Sequence, residues 1–160
     1  MDDFIKLLDK LSNSGRTRSP YLEKMLIYDC LKRESLADQA RLIEALLKLT
    51  NKGWRSSEFV FDAEKRHLTI GGKGLRKLCR PGVPKTGGQF PSFSLLRLLK
   101  LKSLKIVSND FRDLSQLSGL NLRELDVSRS SVGDLSLLPE MPSLKRVRVR
   151  VGQFKQQQME

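Results

Sequence analysis

The sequence predicts an α/β solenoid of short parallel strands with an N-terminal helical cap. Three observations predict it. Apolar residues recur in one phase in stretches that start at Leu101, Leu122 and Leu144, separated by 21 and 22 residues. Leu68, Ile70, Leu75 and Leu78 repeat the internal spacing of Leu104, Ile106, Phe111 and Leu114. Residues 1–53 carry helical rather than strand periodicity. A repeat this short cannot bury its own apolar side and needs a stacked neighbour.

The elements follow in order. Phe4, Ile5, Leu7, Leu8 and Leu11 have the spacing of a short amphipathic helix, broken at Ser12-Asn13-Ser14-Gly15. Ser19-Pro20 reads as an N-cap followed by proline in the first turn, and the helix it opens runs to about Lys32. Ser35-Leu36-Ala37-Asp38 resembles a capping box, with a carboxylate at the third helical position. That third helix carries Ile43, Leu46 and Leu47 and stops near Asn51-Lys52-Gly53. Three such helices suit the cap that a solenoid end requires.

The pattern changes at Trp54. Glu58–Asp62 and His67–Ile70 read as strands joined by the polar turn Ala63-Glu64-Lys65-Arg66. The stretch from Cys79 to about Pro91 is rich in proline and glycine and separates the degenerate first repeat from the next as a loop insertion. Ser94 to Lys100 suits one or two helical turns. The domain reading is a helical cap over 1–53, a solenoid over 54–155 with the insertion at 79–91, and a polar tail over 156–160.

The two best repeats read Leu101-x-x-Leu104-x-Ile106-x-x-Asn109-x-Phe111-x-Asp113-Leu114-Ser115 and Leu122-x-x-Leu125-x-Val127-x-x-Ser130-x-Val132-x-Asp134-Leu135-Ser136. With the paired Asp-Leu-Ser tripeptides, residues 101–149 resemble leucine-rich repeats, most closely the short class of bacterial internalins and of a protein phosphatase regulatory subunit. The resemblance implies one parallel strand per repeat on a concave sheet, protein binding on that face, and an Asn109 side chain bonded to the backbone of neighbouring turns. Asp113 and Asp134 share one repeat position and are read as turn or cap residues.

The net charge is +12, and its placement matters more than its sum. From Lys65 to Lys105 there are eleven Lys or Arg and no acid, and from Lys145 to Lys155 five more, again with no acid. Such a field attracts anionic partners. Alternation along the strands turns Lys105 outward from the first strand, Glu124, Asp126 and Ser128 from the second with Arg123 beside them, and Arg146, Arg148 and Arg150 from the last. These arginines read either as a guanidinium row for carboxylates or phosphates, or as charges that protect a sheet edge. The binding residues expected are Lys105, Arg123, Arg146, Arg148 and Arg150, with Lys85 in the insertion.

Catalytic and metal patterns are missing from the sequence. Gly71-Gly72-Lys73-Gly74 and Gly82-Val83-Pro84-Lys85-Thr86-Gly87 lack phosphate-loop spacing and suit turns. His67 is the only histidine and has no nucleophile motif beside it. Cys30 and Cys79 lack metal-ligand spacing and suit reduced thiols. The acidic opening Met1-Asp2-Asp3 and the lack of a long apolar run argue against a signal peptide or a membrane span. The expectation is a cytoplasmic, non-catalytic module with no cofactor and no metal, docking an acidic protein on a basic concave face. The alternatives are phosphate-mediated nucleic-acid association and an accessory domain of a multi-subunit enzyme.

Overall fold

The computed structural model describes residues 35–80 and 93–150, together with Lys6, Lys10 and Lys32 as helical positions. The expected helices over 3–11 and 20–32, Lys85 with the interior of the insertion, and the tail lie outside the described residues.

Helix α1, Leu36–Thr50, begins where the sequence places it. The Ser35 hydroxyl accepts from the Asp38 N–H at 3.4 Å, and Asp38 adds a carboxylate to the first turn. Leu42, Ile43, Leu46 and Leu47 share one face and are buried, while Glu44 and Lys48 pair across one turn of the outer side at 3.0 Å. The helix ends at Asn51, whose N–H donates to Leu47 O at 2.9 Å.

The chain is mixed α/β, built on a mostly parallel five-stranded sheet. Its strands are β1 (Glu58–Asp62), β2 (His67–Gly71), β5 (Ser103–Ser108), β6 (Glu124–Ser130) and β7 (Arg146–Arg148), in that spatial order. Between β2 and β5 in the chain lie two short strands, β3 (Cys79–Arg80) and β4 (Phe93–Ser94), which pair with each other. β1 and β2 form an antiparallel hairpin, whereas β2, β5, β6 and β7 run parallel. The repeat spacing sets the register: Leu68 lies opposite Leu104, Leu104 opposite Leu125, and Leu125 opposite Val147.

Parallel neighbours need a crossover. Here each return passes through a short 3₁₀ turn: Leu95–Leu99, Leu114–Leu117 and Leu138–Glu140. One continuous core lies between the sheet and these returns. Leu68, Ile70, Leu104, Ile106, Leu125 and Val127 enter it from the strands, and Leu75, Phe111, Leu117 and Val132 from the returns. Each fully buried large side chain contributes roughly 1.5–3 kcal/mol. α1 packs against the Leu95–Leu99 turn and against β1. The core thins at the last strand, where Val147 is 39% exposed.

Two expectations need correcting. Cys79 and Arg80, assigned to the insertion loop, form β3, so a two-residue ribbon closes the base of the insertion. The Cys79 Sγ donates to Gln116 O at 3.2 Å, and the Gln116 Oε1 accepts from the Leu78 N–H at 2.6 Å, which ties this base to the next return.

The second correction concerns Asn109. It is exposed, and the residue that bonds the neighbouring turn is the buried Ser108, whose hydroxyl reaches Gly72 O at 3.0 Å and Leu75 O at 3.1 Å. Ser108 continues the inward alternation of Leu104 and Ile106, which sets Asn109 outward. Separately, the β5–β6 register shifts after Lys105, from Lys105 opposite Asp126 to Val107 opposite Arg129. β6 carries one extra residue there, and Ser108, not Asn109, comes to lie opposite Ser130. Asp113 and Asp134 do act as turn residues, accepting from the Ser115 and Ser136 N–H groups at 2.8 Å each.

Candidate functional site

The outward face of the sheet is organised in rungs across the strands. Asp62, His67, Ser103, Glu124 and Arg146 make one rung, and Val60, Thr69, Lys105, Asp126 and Arg148 the next. Alternation along β2, β5 and β6 places these residues opposite the buried leucines and isoleucines.

Arg146 and Arg148 fall on this face as the alternation predicts, and each meets a carboxylate directly across from it. Arg146 Nη2 lies 3.0 Å from Glu124 Oε1, and Arg148 Nη1 lies 3.5 Å from Asp126 Oδ2. The Arg146 and Arg148 side chains stay 81% and 78% exposed, so each pair adds at most about 1 kcal/mol to stability. Its main effect is orientation, because a guanidinium has five donors and one carboxylate oxygen occupies few of them. Asp126 is the better held acid: its Oδ1 also accepts from the Ser128 N–H at 3.0 Å and the Ser128 hydroxyl at 2.6 Å.

Lys105 lies opposite Asp126 in register and makes no ion pair among the described residues. Arg150 lines a hollow of about 440 Å³ with Arg129, Asn109 and Ser128, beyond the C-terminal ends of β5 and β6. Arg123 stands one residue ahead of β6, exposed, at the opposite end of the strands. The structure therefore brings Lys105, Arg146 and Arg148 onto one face and sets Arg123 and Arg150 at its two ends. The face is mixed in sign, with its cations gathered along β7.

His67 sits at the centre of the first rung. Its Nδ1 is 2.6 Å from Ser103 Oγ and its Nε2 is 3.1 Å from Thr69 Oγ1. Asp62, its partner across the hairpin, is turned away. The Asp62 Oδ1 accepts from the Lys65 N–H at 2.9 Å, and Oδ2 lies 3.2 Å from Lys65 Nζ. The Lys65 N–H, reinforced by the Lys65 side chain, holds the Asp62 carboxyl below its ordinary pKa. A serine–histidine contact is thus present, but a hydroxyl stands where a relay would hold a carboxylate. Among the described residues no group of three or more His, Cys, Asp and Glu is placed to hold a metal, and no helix is long and apolar enough to cross a membrane.

A second gathering of cations has no counterpart in the sequence reading. Lys52, Arg55, Lys73, Arg76 and Lys77 line a cleft of about 460 Å³, with Asp110 as the acid on its wall. The cations come from two separate segments and Asp110 from a third, and the glycine-rich turn at 71–74 suits a simple turn when read alone. The signal that joins them is positional: the turn follows β2, and Asp110 occupies the corresponding return after β5.

Comparison with protein-family models, with characterised proteins and with solved structures finds no match to this chain.

Proposed function

We propose that this chain is a non-catalytic protein-interaction module of the leucine-rich-repeat class that docks an acidic partner surface on the β7 side of its open face. The observation that carries the reading is the pair of guanidinium groups on β7, set two residues apart and held in register by Glu124 and Asp126 yet almost fully exposed. Two residues of strand separate them by roughly 6.5 Å, a spacing that suits alternate acidic residues on an extended partner segment. Lys105, without an ion pair among the described residues, adds a third cation toward the centre.

The in-register Leu68, Leu104 and Leu125 positions and the short crossover turns support a solenoid of this class. The hydroxyl partners of His67 support a tie between strands rather than a general base. A cytoplasmic setting belongs to the same reading and is supported by the free thiol of Cys79.

The test compares the full chain with R146E/R148E. Each is used to capture proteins from nuclease-treated lysate, and hydrogen exchange then maps the retained protein on the native chain. A partner lost with the variant, and protecting β5 to β7, supports the reading. Equal capture by both proteins, or protection confined to another surface, rejects it.

A further inference from the structure

Arg66, Lys102, Arg123 and Lys145 occupy one repeat position, immediately ahead of β2, β5, β6 and β7. The backbone binds them to one another in series. The Lys102 N–H donates to Arg66 O at 2.9 Å, the Arg123 N–H to Lys102 O at 2.7 Å, and the Lys145 N–H to Arg123 O at 2.8 Å. These bonds extend the sheet ladder by one step beyond the N-terminal ends of the strands. Their backbones therefore stand side by side at the strand spacing of about 4.8 Å, about 14 Å from first to last. The Arg66 side chain is half-buried and donates to Leu99 O at 3.4 Å, so the exposed cations of the row are Lys102, Arg123 and Lys145.

Lys102, Arg123 and Lys145 are exposed, and none of the three makes an ion pair among the described residues. Of the acids close to the row in the chain, Glu124 pairs with Arg146 and Asp62 with Lys65, while Glu64 stands exposed beside the Arg66 end, away from Lys102, Arg123 and Lys145 in sequence. Like charges side by side on neighbouring strands repel one another, and a chain of anions laid across them relieves that repulsion.

We propose that this row is a track for the phosphodiester backbone of single-stranded nucleic acid. The track is linear, regularly spaced and without an acid of its own, which matches a backbone bearing one charge per nucleotide. It contains no aromatic residue on which a base would stack, so recognition is by charge and independent of sequence. The surface is distinct from the arginine pair on the open face and stands or falls apart from it.

The experiment is a fluorescence-anisotropy titration of a short labelled oligothymidylate with the full chain, between about 50 and 200 mM salt. Three exposed cations on single-stranded phosphates give a plot of log K against log salt with a slope of about −2.1. K102Q/R123Q/K145Q removes all three and is expected to bring the slope close to zero, with at least a tenfold loss of affinity at the lower salt. The control K73Q/R76Q/K77Q removes the same charge from the cleft at the other end of the strands and is expected to keep most of the native slope.

Equal losses in the two variants, or a larger loss in the control, overturn the track. So does absence of binding by the native chain at the lower salt. Displacement of the oligonucleotide by a short polyglutamate peptide at matched charge overturns it in favour of an acidic polypeptide. All six substituted side chains are exposed, and a thermal melt of each variant checks that the fold persists.

Discussion

Asn51 and Lys77, 26 residues apart in the chain, exchange two hydrogen bonds: Asn51 Nδ2 donates to Lys77 O at 2.7 Å, and the Lys77 N–H donates to Asn51 Oδ1 at 2.8 Å. The side-chain amide behaves as a peptide group of a neighbouring strand. Its remaining capacity is spent on Leu47 O at 3.0 Å and the Arg76 N–H at 2.9 Å. A buried residue at the end of α1 thereby holds the segment that follows β2 and sets two walls of the cationic cleft.

Asn51→Ala removes the amide and leaves Lys77 O and the N–H groups of Arg76 and Lys77 without their partner, while Leu47 O keeps the Asn51 backbone N–H. Each unsatisfied buried group costs about 1–3 kcal/mol, with some recovered by water, so a net loss of about 3 kcal/mol is expected. Urea unfolding reads this as a lower midpoint. A change under about 1 kcal/mol would mean that the amide is dispensable.

Gly72 and Gly133 are expected to respond in opposite ways to alanine. A Cβ on Gly72 would collide with Arg55 O, and its φ of +121° is one that side chains rarely adopt. Gly72→Ala is expected to cost about 3 kcal/mol or to prevent folding. A Cβ on Gly133 has no atom within 4 Å, so Gly133→Ala is expected to be neutral or stabilising by up to about 1 kcal/mol. Thermal melts of the two variants decide; equal melting temperatures would contradict the close approach at Gly72.

Burial, with a smaller contribution from the Asp113 carboxylate, pushes the Cys79 thiol up to about 11. At pH 8 about one part in a thousand is thiolate, so alkylation is expected to run about two orders of magnitude slower than for a free cysteine. The Cys30→Ser chain isolates the reaction of Cys79. Equal rates in the native protein and in urea would show that the thiol is not sheltered.

Asp62 and Asp134 have carboxyls below their ordinary pKa, held there by the Lys65 and Ser136 N–H groups respectively. The folded chain binds these protons less readily than the unfolded chain. Their contribution is complete above about pH 4 and is lost as the pH falls through the folded values. Melting temperature measured between about pH 6 and pH 2 is expected to fall less steeply for D62N/D134N than for the native chain. Parallel curves would remove the two turns from the account of acid sensitivity.

The strands were legible because Leu68, Leu104 and Leu125 keep one phase, and the pairing register follows that phase. The α1 boundaries were legible from Ser35, Asp38 and Asn51, since capping is local chemistry. The bulge in β6 was hidden, because it is compensated within the repeat. Phe111 and Val132 are again 21 residues apart and both buried, so the apolar pattern recovers after Ser108 and Ser130 have slipped. The acids that orient Arg146 and Arg148 were visible on the strand, but their pairing depends on cross-strand register. The cationic cleft was harder still, since it assembles residues distant in the chain through loops, whereas the Arg66–Lys145 row keeps the repeat phase, with Lys102, Arg123 and Lys145 each following the leucine that opens a repeat.

The hairpin of β1 and β2 gives the sheet a direction of growth. An antiparallel strand closes the margin at β1, so another parallel unit cannot be stacked beyond it without displacing that strand. The margin at β7 carries no such reversal among the described strands. Duplication of a 21- or 22-residue unit would therefore lengthen the sheet from the β7 side alone.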